Sequence, residues 1–165
     1  MVIWFIGVSG SGKSFYAKKL FSAINKKKKS IYIDGDEIRK YITYKLGYTK
    51  KDREKNSLFI CDLCNFLEKK GYIVICSILS IFRNHQKKNR SLYDNYIQIF
   101  MDVSLKKVIK RNNKKTYSKI NVVGKDLKFP KPYKSDITIK NKFDSSYKKE
   151  IIQIIKKIND KSKNN

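Results

Sequence analysis

Val2 to Ser14 reads Val-Ile-Trp-Phe-Ile-Gly-Val-Ser-Gly-Ser-Gly-Lys-Ser, a short apolar run followed by a glycine-rich turn. Within it, Gly7-x-x-x-x-Gly12-Lys13-Ser14 fits the Walker A or P-loop pattern. Glycines let the backbone curl so that its N–H groups point at phosphate oxygens, and the start of the next helix attracts the same anion. We therefore predict an ATP phosphate site, in which Lys13 reaches the β- and γ-phosphates and Ser14 binds Mg²⁺. The predicted phosphate-binding residues are Gly7, Ser9, Gly10, Ser11, Gly12, Lys13 and Ser14.

The length and composition indicate one domain. The chain has 165 residues, of which 41% are hydrophobic, which is enough for a packed core. We predict a single domain over residues 1–160 and a frayed tail over residues 161–165. No stretch approaches the ~20 apolar residues of a membrane span, and Met1 to Ile6 is too short for a signal peptide. We expect a cytoplasmic protein with no membrane partner.

The net charge of +25 raises the possibility of nucleic-acid binding. The lysines are scattered along the chain, however, and no RNA-binding motif or zinc finger is present, so we predict no specific nucleic-acid partner. A basic nucleic-acid-binding ATPase remains the alternative from another class. Only five of the 39 basic residues are arginine, and arginine is favoured where a planar, bidentate group must hold an anion. These residues are Arg39, Arg53, Arg83, Arg90 and Arg111.

The cysteines do not indicate a disulfide framework. Cys61 and Cys64 lie three residues apart in a helical pattern, and Cys76 lies in an apolar run. One Cys-x-x-Cys pair with a single histidine in the chain (His85) is half a metal site at most. We predict buried thiols in a reducing compartment.

Apolar periodicity predicts strands that alternate with helices. The predicted strands are 2–6, 31–34, 72–77, 96–101 and 136–140. The predicted helices are 12–24, 37–45, 51–70, 82–92, 105–111 and 145–158. Residues 112–132 have little periodicity and are interpreted as a lid. The pattern favours an α/β fold of the P-loop NTPase type, with three layers (α/β/α) and a mostly five-stranded parallel sheet whose site lies at the strand C-termini.

A tetrad near the end of the chain, Asn141-Lys142-Phe143-Asp144, matches the motif with which GTPases bind guanine. A GTPase also needs Asp-x-x-Gly at the end of an interior strand, whereas the 72–77 strand ends in Cys76-Ser77. We therefore predict a kinase of small molecules rather than a GTPase.

A small-molecule kinase needs a group that orients or deprotonates an acceptor hydroxyl, and cations that hold the acceptor. Asp36 is the candidate base or metal-shell ligand, with helix N-cap as its structural alternative. Asp34 could bind substrate or be structural, and Arg39 follows one helical turn later. Arg53 and Asn56 share a helix face and could grip one anion together. A kinase of nucleosides or sugars is a further alternative, but this cluster favours an anionic acceptor.

The motifs together resemble the adenylylsulfate (APS) kinase family over roughly residues 1–139. They are the P-loop, Asp34-Gly-Asp-Glu-Ile-Arg39, Leu46-Gly-Tyr48, Asp52-Arg53-Glu-Lys-Asn56, Gly71-Tyr-Ile-Val-Ile, Ser80-Ile-Phe-Arg83 with Arg90, and Arg111-Asn-Asn-Lys114-x-x-Tyr117. The resemblance implies transfer of the γ-phosphate of ATP to the ribose 3′-hydroxyl of a nucleotide anhydride.

The resemblance also implies residue roles. Asp36 would be the catalytic base, acting with Lys13. Arg111 would lie near the ATP adenine. The acceptor would be bound by Asp34, Arg39, Tyr48, Arg53, Asn56, Ser80, Lys114 and Val122, with Tyr48 stacked on its base. The partner would be a small nucleotide, and a homodimer is expected.

Several departures from the family pattern bear on the acceptor. Asn56-Ser-Leu-Phe59 lacks two arginines of the family, Gln86 replaces a third, and Val122 stands where the family has a phenylalanine that covers the acceptor base. Asn121-Val-Val-Gly124 and Phe129-Pro-Lys-Pro132 resemble the branch that phosphorylates cytidine diphosphoramidate during capsule biosynthesis. We therefore predict cytidine diphosphoramidate as the acceptor, with true APS kinase activity in sulfate assimilation as the alternative.

Overall fold

The structure, a computed structural model, describes residues 1–42, 45–111, 117 and 120–163. The strands in these ranges are β1 (Val2–Ile6), β2 (Ser30–Asp34), β3 (Ile73–Ile78), β4 (Tyr96–Met101) and β5 (Ile137–Ile139). The helices are α1 (Lys13–Ile24), α2 (Gly35–Tyr41), α3 (Lys50–Lys69), α4 (Arg83–Leu92), α5 (Leu105–Lys110) and α6 (Tyr147–Lys163). Every predicted strand and helix is present, and the observed ends lie at the predicted residues or within a few residues of them.

The five strands form one parallel sheet in the order β2-β3-β1-β4-β5. The chain leaves β1 toward one side of the sheet, to β2, and later crosses from β3 to β4 on the other side. A crevice therefore opens at the carboxyl ends of the central strands, where ligands bind in folds of this kind. The predicted α/β class and parallel sheet are confirmed.

Both faces of the sheet are covered by helices, which explains the uninterrupted apolar run of β1. Successive side chains of a strand point to opposite faces. Ile3 and Phe5 lie in the core that contains residues of α1 and α6, whereas Val2 and Trp4 lie in the core that contains residues of α3. A strand buried on both faces has no polar alternation.

Two thiols of α3 belong to the second core. Cys61 and Cys64 are 1% and 0% exposed, as predicted for buried cysteines on one helix face. Burial raises the pKa of the Cys61 thiol to about 12, so it is protonated at neutral pH. No cluster of three or more His, Cys, Asp or Glu side chains suited to a metal is found within the described ranges.

Two of the differences between predicted and observed helix ends have a clear physical cause. Helix α2 begins at Gly35 rather than Glu37, because the Asp34 side chain accepts a hydrogen bond from the Asp36 amide and is the N-cap. Helix α6 continues to Lys163, so residues 161–163, predicted as a frayed tail, are helical. Lys161 Nζ donates to the Tyr96 carbonyl at 2.6 Å, which ties this last turn to the sheet.

Candidate active site

The P-loop, residues 7–14, joins β1 to α1 at the crevice. Gly12 is the N-cap of α1 and has a φ of 100°, a left-handed conformation that favours glycine. A Cβ at Gly12 would lie 2.4 Å from Nδ2 of Asn141. Asn141, which follows β5 and is 5% exposed, donates from Nδ2 to the Ser11 carbonyl at 3.0 Å. The loop is therefore shaped by its glycines and braced by a buried side chain from the end of β5.

Lys13 and Ser14 begin α1, where the P-loop pattern requires them. Lys13 Nζ donates to the Val8 carbonyl at 2.9 Å, which places the ammonium over the loop. Ser14 donates its hydroxyl hydrogen to Asp34 Oδ2 at 2.8 Å. Because that hydrogen is engaged, the Ser14 oxygen keeps its lone pairs for a cation.

A cavity of about 540 Å³ opens above the loop, a size suited to a small-molecule ligand. Of the predicted phosphate-binding residues, five line it: Ser9, Gly10, Gly12, Lys13 and Ser14. Gly7 and Ser11 are buried behind these residues, where Gly7 allows a close approach of the Met101 carbonyl. The ends of β2 and β3 supply Asp34 and Ser77 to the wall, and α2 supplies Asp36.

Asp34, at the end of β2, lies at the centre of a hydroxyl cluster. Its Oδ2 accepts from Ser14, from Tyr32 at 2.8 Å and from Ser77 at 3.1 Å, while Oδ1 accepts from the Asp36 amide at 2.9 Å. Tyr32 and Ser77 were not among the predicted site residues. Tyr32 lies two residues before Asp34 and thus on the same face of β2, which was the available sequence signal.

The hydroxyl cluster sets the protonation of Asp34. Burial acts to raise the pKa of its carboxyl, but the hydrogen bonds from Ser14, Tyr32, the Asp36 amide and Ser77 outweigh burial and lower the pKa below its ordinary value. Asp34 is therefore ionised at neutral pH. Burial raises the pKa of the Tyr32 phenol, so Tyr32 remains a donor.

Asp36 lies in the first turn of α2, exposed on the cavity wall. Its predicted structural alternative, the N-cap of α2, is wrong, because Asp34 holds that position. The Asp36 carboxylate faces the same cavity as Lys13, which is the placement a base needs relative to a phosphoryl donor.

Arg39, Tyr48 and Arg53 form a stack beside Asp36. The guanidinium carbons of Arg39 and Arg53 lie 5.0 and 5.4 Å from the Tyr48 ring centre. The pKa of Arg53 is lowered, first by burial and then by the positive charge of Arg39, while Asp36 acts in the opposite direction. Neither arginine forms a salt bridge with a carboxylate of the described residues. Two neighbouring guanidinium groups that form no salt bridge with a carboxylate of the described residues suit an anionic ligand.

Both arginines are held by backbone carbonyls. Arg39 Nη1 donates to the Gly47 carbonyl, and Arg53 Nε donates to the Tyr48 carbonyl at 3.1 Å. Arg53 Nη2 also donates to the Asn121 carbonyl at 2.9 Å. Asn121 lies within the predicted lid (residues 112–132), so this part of the lid contacts Arg53 through its backbone.

Asn56 is buried on the α3 face next to α2. Its Nδ2 donates to the Gly35 carbonyl at 3.3 Å, and its Oδ1 is buried without a hydrogen-bond partner among the described residues. A buried oxygen without a donor is costly, so this carbonyl can serve a ligand that donates to it.

Two other predicted acceptor residues, Ser80 and Val122, are placed differently. Ser80 is 1% exposed, and its hydroxyl accepts from Gln86 Nε2 at 3.3 Å, so it does not line the cavity. Val122 is 5% exposed and belongs to a small core with Val8 and Val108. Lys114 lies outside the described residues.

Arg111 and three residues of the tetrad, Asn141, Phe143 and Asp144, line another part of the cavity. The Arg111 guanidinium lies 4.0 Å from the ring centre of Phe143, and both residues line the cavity with Asp144. The planar guanidinium can stack on a nucleobase in the same way. The tetrad therefore has a structural place beside the P-loop, although it was predicted not to mark a GTPase.

The parallel sheet, the P-loop and the acid opposite it define a P-loop kinase. The sequence matches the family model of adenylylsulphate kinase over residues 1–140. The chain belongs to the adenylylsulfate kinase family and is an ATP-dependent phosphotransferase that acts on a hydroxyl group. Members of this family use ATP as the phosphate donor.

Individual relatives agree with this assignment. The chain is 32% identical over 164 residues, 95% of each chain, to cytidine diphosphoramidate kinase of Campylobacter jejuni. It is 33% identical over 147 residues, 84% of this chain and 75% of the relative, to adenylyl-sulfate kinase of Pseudomonas aeruginosa. The structure of Mycobacterium tuberculosis APS kinase in complex with AMPPNP and APS superposes with a TM-score of 0.84 at 25% identity, covering 94% of this chain and 95% of that one.

None of the helices in the described ranges is both long and apolar enough to cross a bilayer.

Proposed function

We propose that this protein transfers the γ-phosphate of ATP to the ribose 3′-hydroxyl of cytidine diphosphoramidate. The observation that carries this proposal is the cluster of Asp36, which lines the P-loop cavity, with Arg39 and Arg53. It combines a carboxylate for the hydroxyl proton with two cations that form no salt bridge with a carboxylate of the described residues.

In the proposed reaction, Asp36 accepts the proton of the 3′-hydroxyl as its oxygen attacks the γ-phosphorus. The bond from the γ-phosphorus to the bridging oxygen breaks, and ADP leaves with the electron pair. Lys13 and the P-loop amides stabilise the negative charge on the transferred group. Asp36 lines the same cavity as Lys13, which supports its role as base.

Mg²⁺ fits the donor side of this site. Ser14 Oγ and the ionised Asp34 carboxylate lie 2.8 Å apart, and hard oxygen ligands of this kind suit Mg²⁺ bound with nucleotide phosphates. When bound, Mg²⁺ neutralises charge on the β- and γ-phosphates. We therefore propose ATP with Mg²⁺ as the donor, with Arg111 beside its base.

The acceptor base is proposed to stack on Tyr48, which is 51% exposed and has the Arg39 and Arg53 guanidinium carbons 5.0 and 5.4 Å from its ring centre. Val122, which has the sequence position of a base-covering phenylalanine in the family, is packed in a separate apolar core and offers no second ring to a base. Ring stacking contributes about 1 kcal/mol beyond area burial. Stacking on one ring face only supports a pyrimidine, which is smaller than a purine. The name of the Campylobacter relative gives a cytidine nucleotide as its substrate.

Adenylylsulfate is the alternative acceptor. This chain is about equally identical in sequence to the Pseudomonas and the Campylobacter relatives. The Mycobacterium structure that superposes on this chain is a complex that contains APS. The same arginine pair suits a sulfate terminus. Sequence identity to relatives does not distinguish the two acceptors. An assay that compares them as substrates must therefore decide.

The test measures phosphoryl transfer from Mg·ATP to each acceptor through the rate of ADP release. ³¹P NMR of the product then locates the new phosphate on the 3′-oxygen. We expect kcat/KM for cytidine diphosphoramidate to exceed that for APS by about tenfold or more, within the range that pocket differences of this size produce. Preference for APS would favour the alternative, and transfer to neither would contradict a 3′-kinase.

A further inference from the structure

Two hydroxyl groups behind Asp34 are not part of the P-loop pattern or of the proposed acceptor site. Tyr32 lies on β2 and Ser77 at the end of β3, and their oxygens are 2.9 Å apart. Both also reach Asp34 Oδ2, at 2.8 and 3.1 Å. These contacts join two strands at the point where they meet the phosphate cavity.

The two oxygens of Asp34 have separate roles. Oδ1 accepts from the Asp36 amide and caps α2, and one acceptor is enough for an N-cap. The hydroxyls of Tyr32 and Ser77 contact Oδ2 instead, so helix capping does not account for them. Oδ2 also accepts from Ser14, which links the hydroxyl pair to the P-loop.

The oxygens around Oδ2 form a compact group at the cavity wall. Ser14 Oγ lies 2.8 Å from Asp34 Oδ2 and 3.3 Å from Ser77 Oγ, and all three residues line the cavity. Ser14 donates its hydrogen to Oδ2, and its oxygen has two lone pairs, so one is left for a cation when Ser77 donates to the other. One carboxylate with hydroxyls and coordinated waters is an oxygen set that suits a divalent cation held partly by nucleotide phosphates.

We propose that Tyr32 and Ser77 are positioning residues for the divalent cation that accompanies the donor nucleotide. They fix Asp34 Oδ2 beside Ser14 Oγ, so that the carboxylate and the hydroxyl meet the cation in one arrangement. This role depends on the proposed use of Mg·ATP, but it does not depend on which acceptor is phosphorylated.

The strand register makes this positioning rigid. Asp34 and Ser77 are direct partners in the parallel pairing of β2 with β3, and Tyr32 shares the β2 face of Asp34. Groups on paired strands hold a site more firmly than groups on loops. Each hydroxyl has one hydrogen, so Tyr32 and Ser77 can donate to Oδ2 directly or through each other, and either arrangement restrains the carboxylate.

Tyr32→Phe removes one hydroxyl and keeps the ring. The measurement is the dissociation constant of Mn²⁺ for the complex of protein with ADP, followed by electron paramagnetic resonance, because this readout requires no turnover. Loss of an outer hydrogen bond to a metal-site carboxylate typically weakens metal affinity by about 10–100-fold. We expect Tyr32→Phe to weaken Mn²⁺ affinity by about tenfold or more. Ser77→Ala should weaken it by a similar factor.

Tyr72→Phe is the matched control. Tyr72 immediately precedes β3, at the opposite end of the sheet from Ser77, and its ring lies under the Lys29 ammonium at 4.3 Å. The same atom is removed there without touching the phosphate cavity, so Mn²⁺ affinity should stay within twofold of wild type. ADP affinity in EDTA should be unchanged in all variants, and raising Mg²⁺ should restore turnover of Tyr32→Phe.

Weaker Mn²⁺ binding by either folded variant, with unchanged metal-free ADP binding, supports the positioning role. Mn²⁺ affinity within twofold of wild type for both variants overturns it, as does a wild-type ADP complex that binds no Mn²⁺. A wild-type protein that binds Mn²⁺ with ADP but phosphorylates neither nucleotide acceptor contradicts the proposed function alone.

Discussion

Asp36→Asn tests the acceptor side of the site with the smallest change in shape. Asp36 is exposed on the cavity wall, and the hydrogen bond that anchors it uses its backbone N–H, which donates to Asp34 Oδ1 at 2.9 Å. The substitution keeps that bond and the N-cap of α2. We therefore expect a change in the free energy of unfolding within about 0.5 kcal/mol, as for surface substitutions.

The expected loss of activity is much larger. An amide cannot accept the hydroxyl proton at neutral pH, and a positioned general base contributes about 10²–10⁴-fold to rate. At about 1.4 kcal/mol per factor of ten, this corresponds to about 3–5 kcal/mol of transition-state stabilisation. The Lys13–Val8 and Ser14–Asp34 hydrogen bonds do not use the Asp36 side chain, so the affinity for ATP should be retained.

The assay combines turnover with the nucleotide acceptor and ATP binding by calorimetry. Glu37→Gln is the matched control, because Glu37 is an equally exposed acid one residue further along α2 that does not line the cavity. Near wild-type kcat in Asp36→Asn would refute the role of Asp36 as base. An equal loss in both variants would show that the net charge of α2 matters, rather than the position of one carboxylate.

Further outcomes concern the donor loop, the acceptor and the fold. Gly12→Ala places a Cβ 2.4 Å from Asn141 Nδ2 at a φ of 100°, so we expect loss of ATP binding by calorimetry while the circular dichroism spectrum is kept; normal ATP affinity would be incompatible with this packing. Arg53→Lys keeps the charge but loses the planar fork, and acceptor KM should rise about tenfold with ATP affinity unchanged; equal KM values would remove Arg53 from the acceptor site. Burial lowers the pKa of His85, against an opposing effect of Glu54, so the unfolded state binds more protons below about pH 6.5. The free energy of unfolding from urea titration should therefore fall as pH drops below that value, and this part of the fall should be absent in His85→Gln.

The fold was predictable from local patterns. The P-loop, the apolar strands and the amphipathic helices each carry their own signal, so β1 and β4 were predicted with their observed ends. The start of α2 was predicted two residues late, because Asp36 rather than Asp34 was considered as the helix cap. Only the backbone geometry decides that the Asp34 side chain accepts from the Asp36 amide.

Site residues were predictable only where a local sequence motif determines their position. Asp36 and Lys13 line one cavity in the structure, whereas Ser80 and Val122 do not line it. Ser80 and Val122 are buried instead, and their burial depends on how loops that are distant in sequence pack together. Gln86 covers the Ser80 hydroxyl, a contact that no local pattern encodes. Ser77 was missed for a related reason: its pairing with Asp34 is a property of strand register, which becomes visible only when β2 and β3 are known to be neighbours.

The double use of Asp34 has a practical consequence for mutagenesis and engineering. One carboxylate both starts the helix that carries Asp36 and Arg39 and contacts the Ser14 hydroxyl of the donor loop. A variant at this position would lose the N-cap of α2, worth about 1 kcal/mol, as well as the contact with Ser14, so its phenotype could not be assigned to either effect alone. An inactive protein intended for ligand trapping is better made at Asp36, whose side chain can be changed without dismantling the scaffold around it.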